Sequence, residues 1–566
     1  MLGLFTLSTS LFTLSSCTKA DSDLVSFVED NTLSTPNDTV YSLIGIVNKL
    51  QKIADRTILL GELRGDLTSL TDHASLDLQA LANFEADATN PYNDARDYYA
   101  IIQNCNYFLA NADTTLMKRG DHVFEKEYAA ISAFRAWTYL QLAINYGSVP
   151  FYTQPILTEK EADPSLYPHY DVEQIANYFI DDLAPYVDTK TPQYGAIGNY
   201  DSQFFYIPVR VLLGDLCLWA GRYQEAAKYY HDYFTKQGDT HPILNNYVRW
   251  SNRNFENISD AYASTFTSTQ RGQLLTLIPM EETEYDGIIT RLPDVFNSTE
   301  KNNYFYQATH SPAYDELSQS QRFVMIETDP LTSLSDTIAP SDTTFFASNS
   351  LRGDLRQQSI YTLRANPSAS NAFSAVRQQC NKYQSQTSVC LYRIQHVYLR
   401  YAEALNRAGY PNAAFCVLKF GLCKDYWSQD YMTPFLPDYE REAAGDLISF
   451  SEYTFDRSNT MGIHSRGCGD ANADTTYVIG FNKATGTIDR LATLSDSILY
   501  VENKICEEMA LETAAEGLRY YDLMRLSLHR NDPTFLADKV ARRDGTLNAA
   551  LFTKLSDKKN WFLPLE

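Results

Sequence analysis

Between residues 127 and 151, apolar side chains recur at Ala130, Phe134, Trp137, Leu140 and Ile144, in steps of 4, 3, 3 and 4. Those steps put them on one face of a helix. Ala129, Ala133 and Ala136 lie beside that stripe and widen it. Tyr146-Gly147 with Pro150 beyond marks the end, because glycine tolerates the backbone of a helix C-terminus and proline cannot continue a helix. A partner helix is predicted near 171–187, "DVEQIANYFIDDLAPYV". The pattern returns three times. Val209, Leu212, Leu216 and Trp219 form one stripe, Gly221 turns the chain, and Tyr223, Ala227, Tyr230 and Phe234 form the next. Gly409 divides "IQHVYLRYAEALNRAGYPNAAFCVLKFGL", and Gly517 divides "VENKICEEMALETAAEGLRYYDLMRLSLHR". The expected architecture is mainly α, with helix pairs near 127–187, 207–235, 393–422 and 501–530.

The pair around Gly221 resembles a tetratricopeptide unit. The four glycines, at 147, 221, 409 and 517, are 74, 188 and 108 residues apart, not the steady ~34 of a tandem array. Long insertions near 240–390 and 424–500 separate the units. They are rich in Ser, Thr, Asn, Asp, Pro and Tyr. Function tends to sit on such stretches when a rigid scaffold holds them. A chain of 566 residues allows two to four ordinary domains or one large helical assembly, and residues 31–566 read as one helical domain.

The first sixteen residues, "MLGLFTLSTSLFTLSS", carry no charge. Their apolar run falls short of the ~20 residues that span a bilayer, so 1–16 reads as a secretory signal. Leu14-Ser15-Ser16-Cys17 resembles a bacterial lipobox. That resemblance implies cleavage before Cys17 and lipid attachment to it, with 17–30 as a flexible tether. Each buried methylene of a lipid chain contributes about 0.8 kcal/mol, so two or more chains anchor stably.

Charge narrows the function classes. With 47 Lys and Arg against 70 Asp and Glu, the formal charge is −23. Nucleic-acid binding needs a basic groove, and an anionic leaflet needs basic patches; both are disfavoured. The chain has 40 Tyr and 29 Phe but only 5 Trp. A tyrosine offers a flat apolar face and a polar tip, which suits amphipathic ligands. The nine cysteines include no C-x-x-C pair, so a zinc or thioredoxin-like motif is not expected. Cys105, Cys217, Cys416 and Cys506 fall in apolar helical stretches; Cys380 and Cys390 could close a loop, but their spacing does not by itself predict a disulfide. Asp470-x-Asn472-x-Asp474 begins like a calcium loop, but Thr475 replaces its glycine and Phe481 its closing glutamate. It reads as a polar turn. Glu507-Glu508 reads as a solvated helix face. No nucleotide-loop, metalloprotease or serine-hydrolase motif is present. No metal, cofactor or catalytic residue is expected.

Several stretches in order resemble the SusD/RagB family of outer-membrane nutrient-uptake lipoproteins. After the lipobox come "NDARDYYAIIQNCNYFL" (93–109), similar to Y-x-x-I-x-x-x-N, and "EYAAISAFRAWTYLQLAINYGSVPF" (127–151), similar to R-A-x-x-Y-x-x-L-x-x-x-Y-G-x-V-P. "RGDLR" (352–356) resembles a D-x-R motif, and "LRYAEALNRAG" (399–409), "EEMALETAAEGLRYYDLMR" (507–525) and the closing "WFLPLE" complete the set. Arg135, Glu403, Glu516, Arg519, Asp522 and Arg525 in these motifs read as scaffold groups, with Glu516–Arg519 and Asp522–Arg525 as i,i+3 pairs. The resemblance implies a SusD-like fold and a non-catalytic, surface-exposed binding protein. Such a protein captures an oligosaccharide, in some members a peptide, for a SusC-like TonB-dependent transporter; the alternative reading is a helical-repeat scaffold that binds only a protein partner. Aromatic rings on a loop-built face would stack on sugars. Candidate ligand residues are Arg64 and Asp66 in "GELRGDLTSL", Asn90 and Tyr92 in "NFEADATNPYND", and Tyr285, Tyr304 and Tyr306 in "EYDGIITRLPDVFNSTEKNNYFYQ". The family often places a tryptophan platform where Tyr92 stands.

Overall fold

The structure, a computed structural model, describes residues 36–118, 120–236, 243–244, 248, 262, 266, 273–281, 287–298, 305–328, 332, 335–338, 353–365, 376–384, 387–424, 436–451, 453–456 and 460–565. The expected leader and tether, Cys17 included, lie outside them, as do Tyr285 and Tyr304.

Helices dominate. α1 (Pro36–Glu62), α2 (Leu76–Ala82), α3 (Arg96–Asn111), α4 (Glu125–Tyr146) and α5 (Val172–Leu183) come first. α6 (Val209–Trp219) and α7 (Tyr223–Thr235) follow. Beyond the first insertion come α8 (Ile394–Arg407) and α9 (Pro411–Phe420), and beyond the second α10 (Leu494–Thr513) and α11 (Arg519–Arg530). Strands among the described residues pair only two at a time. β1 (Thr68–Leu70) joins β5 (Ala308–His310), β2 (Val149–Pro150) joins β3 (His169–Tyr170), and β4 (Leu274–Pro279) joins β6 (Ser388–Arg393), all antiparallel.

Local chemistry sets the helix ends. α5 opens on a capping box: Asp171 Oδ1 accepts from Gln174 N at 2.9 Å, and Gln174 Oε1 accepts from Asp171 N at 3.1 Å. Between α6 and α7, Gly221 sits at φ +71, a region costly for residues with a Cβ. There the Arg222 N–H donates back to the Cys217 carbonyl at 2.8 Å. Consecutive helices from α3 to α7 pack on one another, and α7 packs directly on α8 despite the insertion between them. The pairs are unevenly spaced in sequence but form a continuous stack in space. α6 is buried at every residue because helices cover it on both sides.

The centre of the molecule is ionic. Glu508 binds Arg356 at 2.7 Å and His464 at 2.6 Å. Glu512 receives Arg393 at 2.7 Å and Arg466 at 2.9 Å, and Glu516 receives Arg393 and His396. Arg356 also holds Asp354 at 2.6 Å, so the D-x-R motif is a fully buried ion pair. Two expectations need correction. Glu508 does not belong to a solvated face; it is 1% exposed, because α10 points it at Arg356. Glu516 and Arg519 do not pair, because partners from distant segments claim both. Asp522–Arg525 does form, at 2.8 Å, with Glu403 joining Arg525 at 2.6 Å. Breaking one partner of such a buried set costs about 3–5 kcal/mol.

Cys380 and Cys390 are both free thiols. In the 470–474 turn, Asp470 caps the amides of Asn472 and Ala473, and Asp474 pairs with Arg322 at 3.0 Å. No group of potential metal ligands occurs among the described residues. None of their helices is long and apolar enough to cross a membrane.

Candidate ligand-binding face

The three stretches singled out from sequence converge. β1 pairs with β5, so the 61–70 and 284–307 stretches meet. The Thr71 amide donates to the Gln307 carbonyl at 3.0 Å, and the Ser75 amide donates to Gln307 Oε1 at 2.9 Å. On the other side, Asn90 Nδ2 donates to the Asp77 carbonyl at 2.9 Å, tying the 83–94 loop to α2. Asp55 of α1 accepts from Thr290 Oγ1 at 2.5 Å and from the Arg291 amide at 2.7 Å, which docks the 287–298 segment.

This joint exposes an aromatic group. The exposed ring of His73 stacks on half-buried Phe305, with centroids 5.4 Å apart and planes at 28°. Half-buried Tyr306 lies 6.5 Å from His73. Tyr306 has φ 56, a left-handed conformation that few side chains adopt. The Thr71 hydroxyl donates to its carbonyl, and its amide donates to the Asp294 carbonyl at 2.9 Å. The surroundings therefore force the conformation and fix where the ring stands. Phe84, in the 83–94 loop, is also left-handed at φ 59. Strained residues of this kind collect at functional sites.

Behind Tyr306, Gln378 Oε1 accepts from Thr309 Oγ1 at 2.9 Å and from the Tyr306 hydroxyl at 3.4 Å. Gln378 Nε2 is buried without a hydrogen-bond partner among the described residues. Tyr92 is half-buried against the core, and its hydroxyl has no partner among the described residues. Burial, with the nearby charges of Asp55 and Asp77, pushes that hydroxyl up to about 12. It stays a neutral donor and acceptor at ordinary pH.

Other candidates stand elsewhere. Arg64 is 1% exposed. Its Nε donates to the Leu60 carbonyl at 2.8 Å, it bonds Asn145, and its guanidinium lies 4.3 Å from the Tyr520 ring centroid. Asp66 takes both arms of Arg519, at 2.5 and 2.9 Å. Burial opposes ionisation of Asp66, but Arg519 outweighs it and holds the carboxyl below its usual range. Both residues join α1 to α11 and cannot reach a ligand on the surface. Asn90 is buried too; its Oδ1 accepts from the Tyr92 amide at 3.0 Å, so it shapes the loop that carries Tyr92. Sequence reasoning passed over His73 and Phe305. Phe305 sits inside a stretch already chosen for its aromatics. His73 lay in the "TDHAS" turn just before the helix-capping Ser75, a signal for a loop beside that stretch.

No protein-family model and no curated protein matches the chain. Solved structures do. A SusD superfamily protein from Bacteroides vulgatus aligns over 94% of this chain and 96% of its own, at TM-score 0.57 and 12% identity. A SusD homolog from Bacteroides thetaiotaomicron aligns over 92% of both chains, at 0.55 and 14%. A SusD-like carbohydrate binding protein from Bacteroides vulgatus aligns over 87% and 84%, at 0.53 and 16%. The mainly helical fold of this chain is that of the SusD superfamily.

Proposed function

We propose that this chain is a surface-exposed, lipid-anchored outer-membrane protein that captures an oligosaccharide and passes it to a SusC-like TonB-dependent transporter without cleaving it. The observation that carries this reading is the His73–Phe305–Tyr306 group, held in a fixed geometry on a SusD-superfamily scaffold with Tyr92 on an adjoining loop. Flat rings meet the C–H faces of sugars, while the Tyr hydroxyls and the carboxylate of exposed Asp77 meet their hydroxyl groups. One of the three structural relatives is described as carbohydrate binding, which favours a sugar over a peptide. Anchoring through Cys17 and partnership with a transporter rest on the lipobox and on the family resemblance.

The test is affinity electrophoresis of the chain from residue 18 onward in gels containing starch, xylan, laminarin or pectin. Retardation by one of them is expected, without new reducing ends in solution. His73→Ala with Tyr306→Ala should weaken that retardation strongly. Release of reducing ends by the purified protein, or free mobility in every gel, contradicts the reading.

A further inference from the structure

We propose a second saccharide-contact site, distant in sequence from the first, on the outer face of α5. It rests on the glycan-capture reading for its ligand class. A groove of about 490 Å³ is lined by Tyr170, Asp171, Glu173, Gln174, Asn177 and Tyr178. Two tyrosine rings wall it. Tyr178 is 37% exposed, a large fraction for an aromatic side chain. Neither ring is loose. Tyr170 stacks on Phe151 with centroids 4.4 Å apart and planes at 8°. Tyr178 meets Phe151 edge-on at 4.8 Å and 68°, and Phe179 at 5.1 Å and 82°. Phe151 follows directly on β2 and Tyr170 ends β3, so the β2–β3 pairing fixes this aromatic wall against α5. Rings held this way lose little freedom when a ligand arrives.

The polar groups fit a neutral polyol. The Tyr170 and Tyr178 hydroxyls and the Glu173 carboxylate have no hydrogen-bond partner among the described residues. Asn177 donates one N–H to the Glu173 carbonyl at 3.0 Å, which leaves its Oδ1 open as an acceptor. Asp171 and Gln174 are committed to the α5 cap and supply rim rather than contact. The groove thus offers aromatic faces for C–H groups, two hydroxyls that donate or accept, and acceptors for sugar hydroxyls. Its two carboxylates, with no basic residue in the lining, repel an anionic sugar. One short oligosaccharide fills one site. A long neutral polysaccharide engages both, and the second contact raises apparent affinity through effective concentration.

The experiment compares wild type, Tyr178→Ala, Glu173→Ala with Asn177→Ala, and His73→Ala with Tyr306→Ala in gels of the retarding polysaccharide, alongside its tetrasaccharide in solution. Thermal unfolding confirms that each variant is folded. The expected result is that either α5 variant weakens polysaccharide retardation by about three- to tenfold and leaves tetrasaccharide affinity at the first face unchanged. The His73/Tyr306 variant should keep a residual retardation that adding Tyr178→Ala removes. Unchanged retardation in both folded α5 variants overturns the second site while the capture reading stands, and would hand this surface to a protein partner. A wild type that no glycan retards overturns both.

Discussion

At the scale of single residues, the balance between conformational strain and ligand contact can be read at Tyr306. A side chain at φ 56 costs about 1–2 kcal/mol relative to glycine. Its ring returns little of that cost, since the one hydrogen bond of its hydroxyl among the described residues, to Gln378, is 3.4 Å long. Tyr306→Gly should therefore leave the unfolding free energy within about 1 kcal/mol of wild type while clearly weakening glycan retardation. Denaturant unfolding run beside the affinity gel checks both halves. A variant that binds normally would make the ring a packing group. Arg64 and Asp66 teach the opposite lesson. Charged residues in a Gly-rich turn look accessible in sequence. Their partners lie far along the chain, with Arg519 at a separation of 453 residues. No local pattern predicts that a charge so placed will be buried and neutralised.

At the scale of elements, the helices were legible because each declares itself locally. Period-3.6 stripes gave their existence, and Gly147, Gly221, Gly409 and Gly517, all at positive φ, gave their ends. The boundaries of α10 were less accurate. It starts at Leu494, ahead of the expected 501, because Thr493 and Asp496 form a capping box that the apolar stripe alone does not show. The stacking of α7 on α8 across an insertion was not legible, since nothing local links the two segments. Nor was the ionic centre along α10. Glu512 faces Arg356, Arg393 and Arg466 with none of its carboxylate exposed. Glu512→Gln removes a carboxylate charge that three guanidinium groups share there. It should lower stability by about 3–5 kcal/mol, measured by urea unfolding. A loss below about 1 kcal/mol would mean that Glu508 and Glu516 compensate the arginines alone.

At the scale of the whole molecule, these buried charges set the response to pH. Burial opposes ionisation of Glu508, but Arg356 and His464 outweigh it and hold the carboxyl at about 2, against 4.5 when free. Glu516 and Glu403 are lowered in the same way by Arg393 and Arg525. Burial lowers His396 and His529 to about 4, from 6.5. The unfolded chain binds more protons than the folded one in both ranges, so stability falls as pH falls. The histidines begin the loss below about 6.5, and the paired carboxylates deepen it below about 4.5. Glu62 and Glu502, raised by burial, offset part of it. Melting temperature should hold near pH 7 and drop steeply toward pH 3; a flat profile would show that the network is not closed in the folded protein. In the proposed function, this scaffold holds the face around His73, Phe305 and Tyr306 still. Hydrogen–deuterium exchange of the chain from residue 18 onward, with and without oligosaccharides cut from the retarding polysaccharide, tests that most directly. The account predicts slowed exchange at 71–77, 88–93 and 305–310, where the three stretches meet. Exchange unchanged at all three, under conditions where the polysaccharide retards the protein, would contradict it.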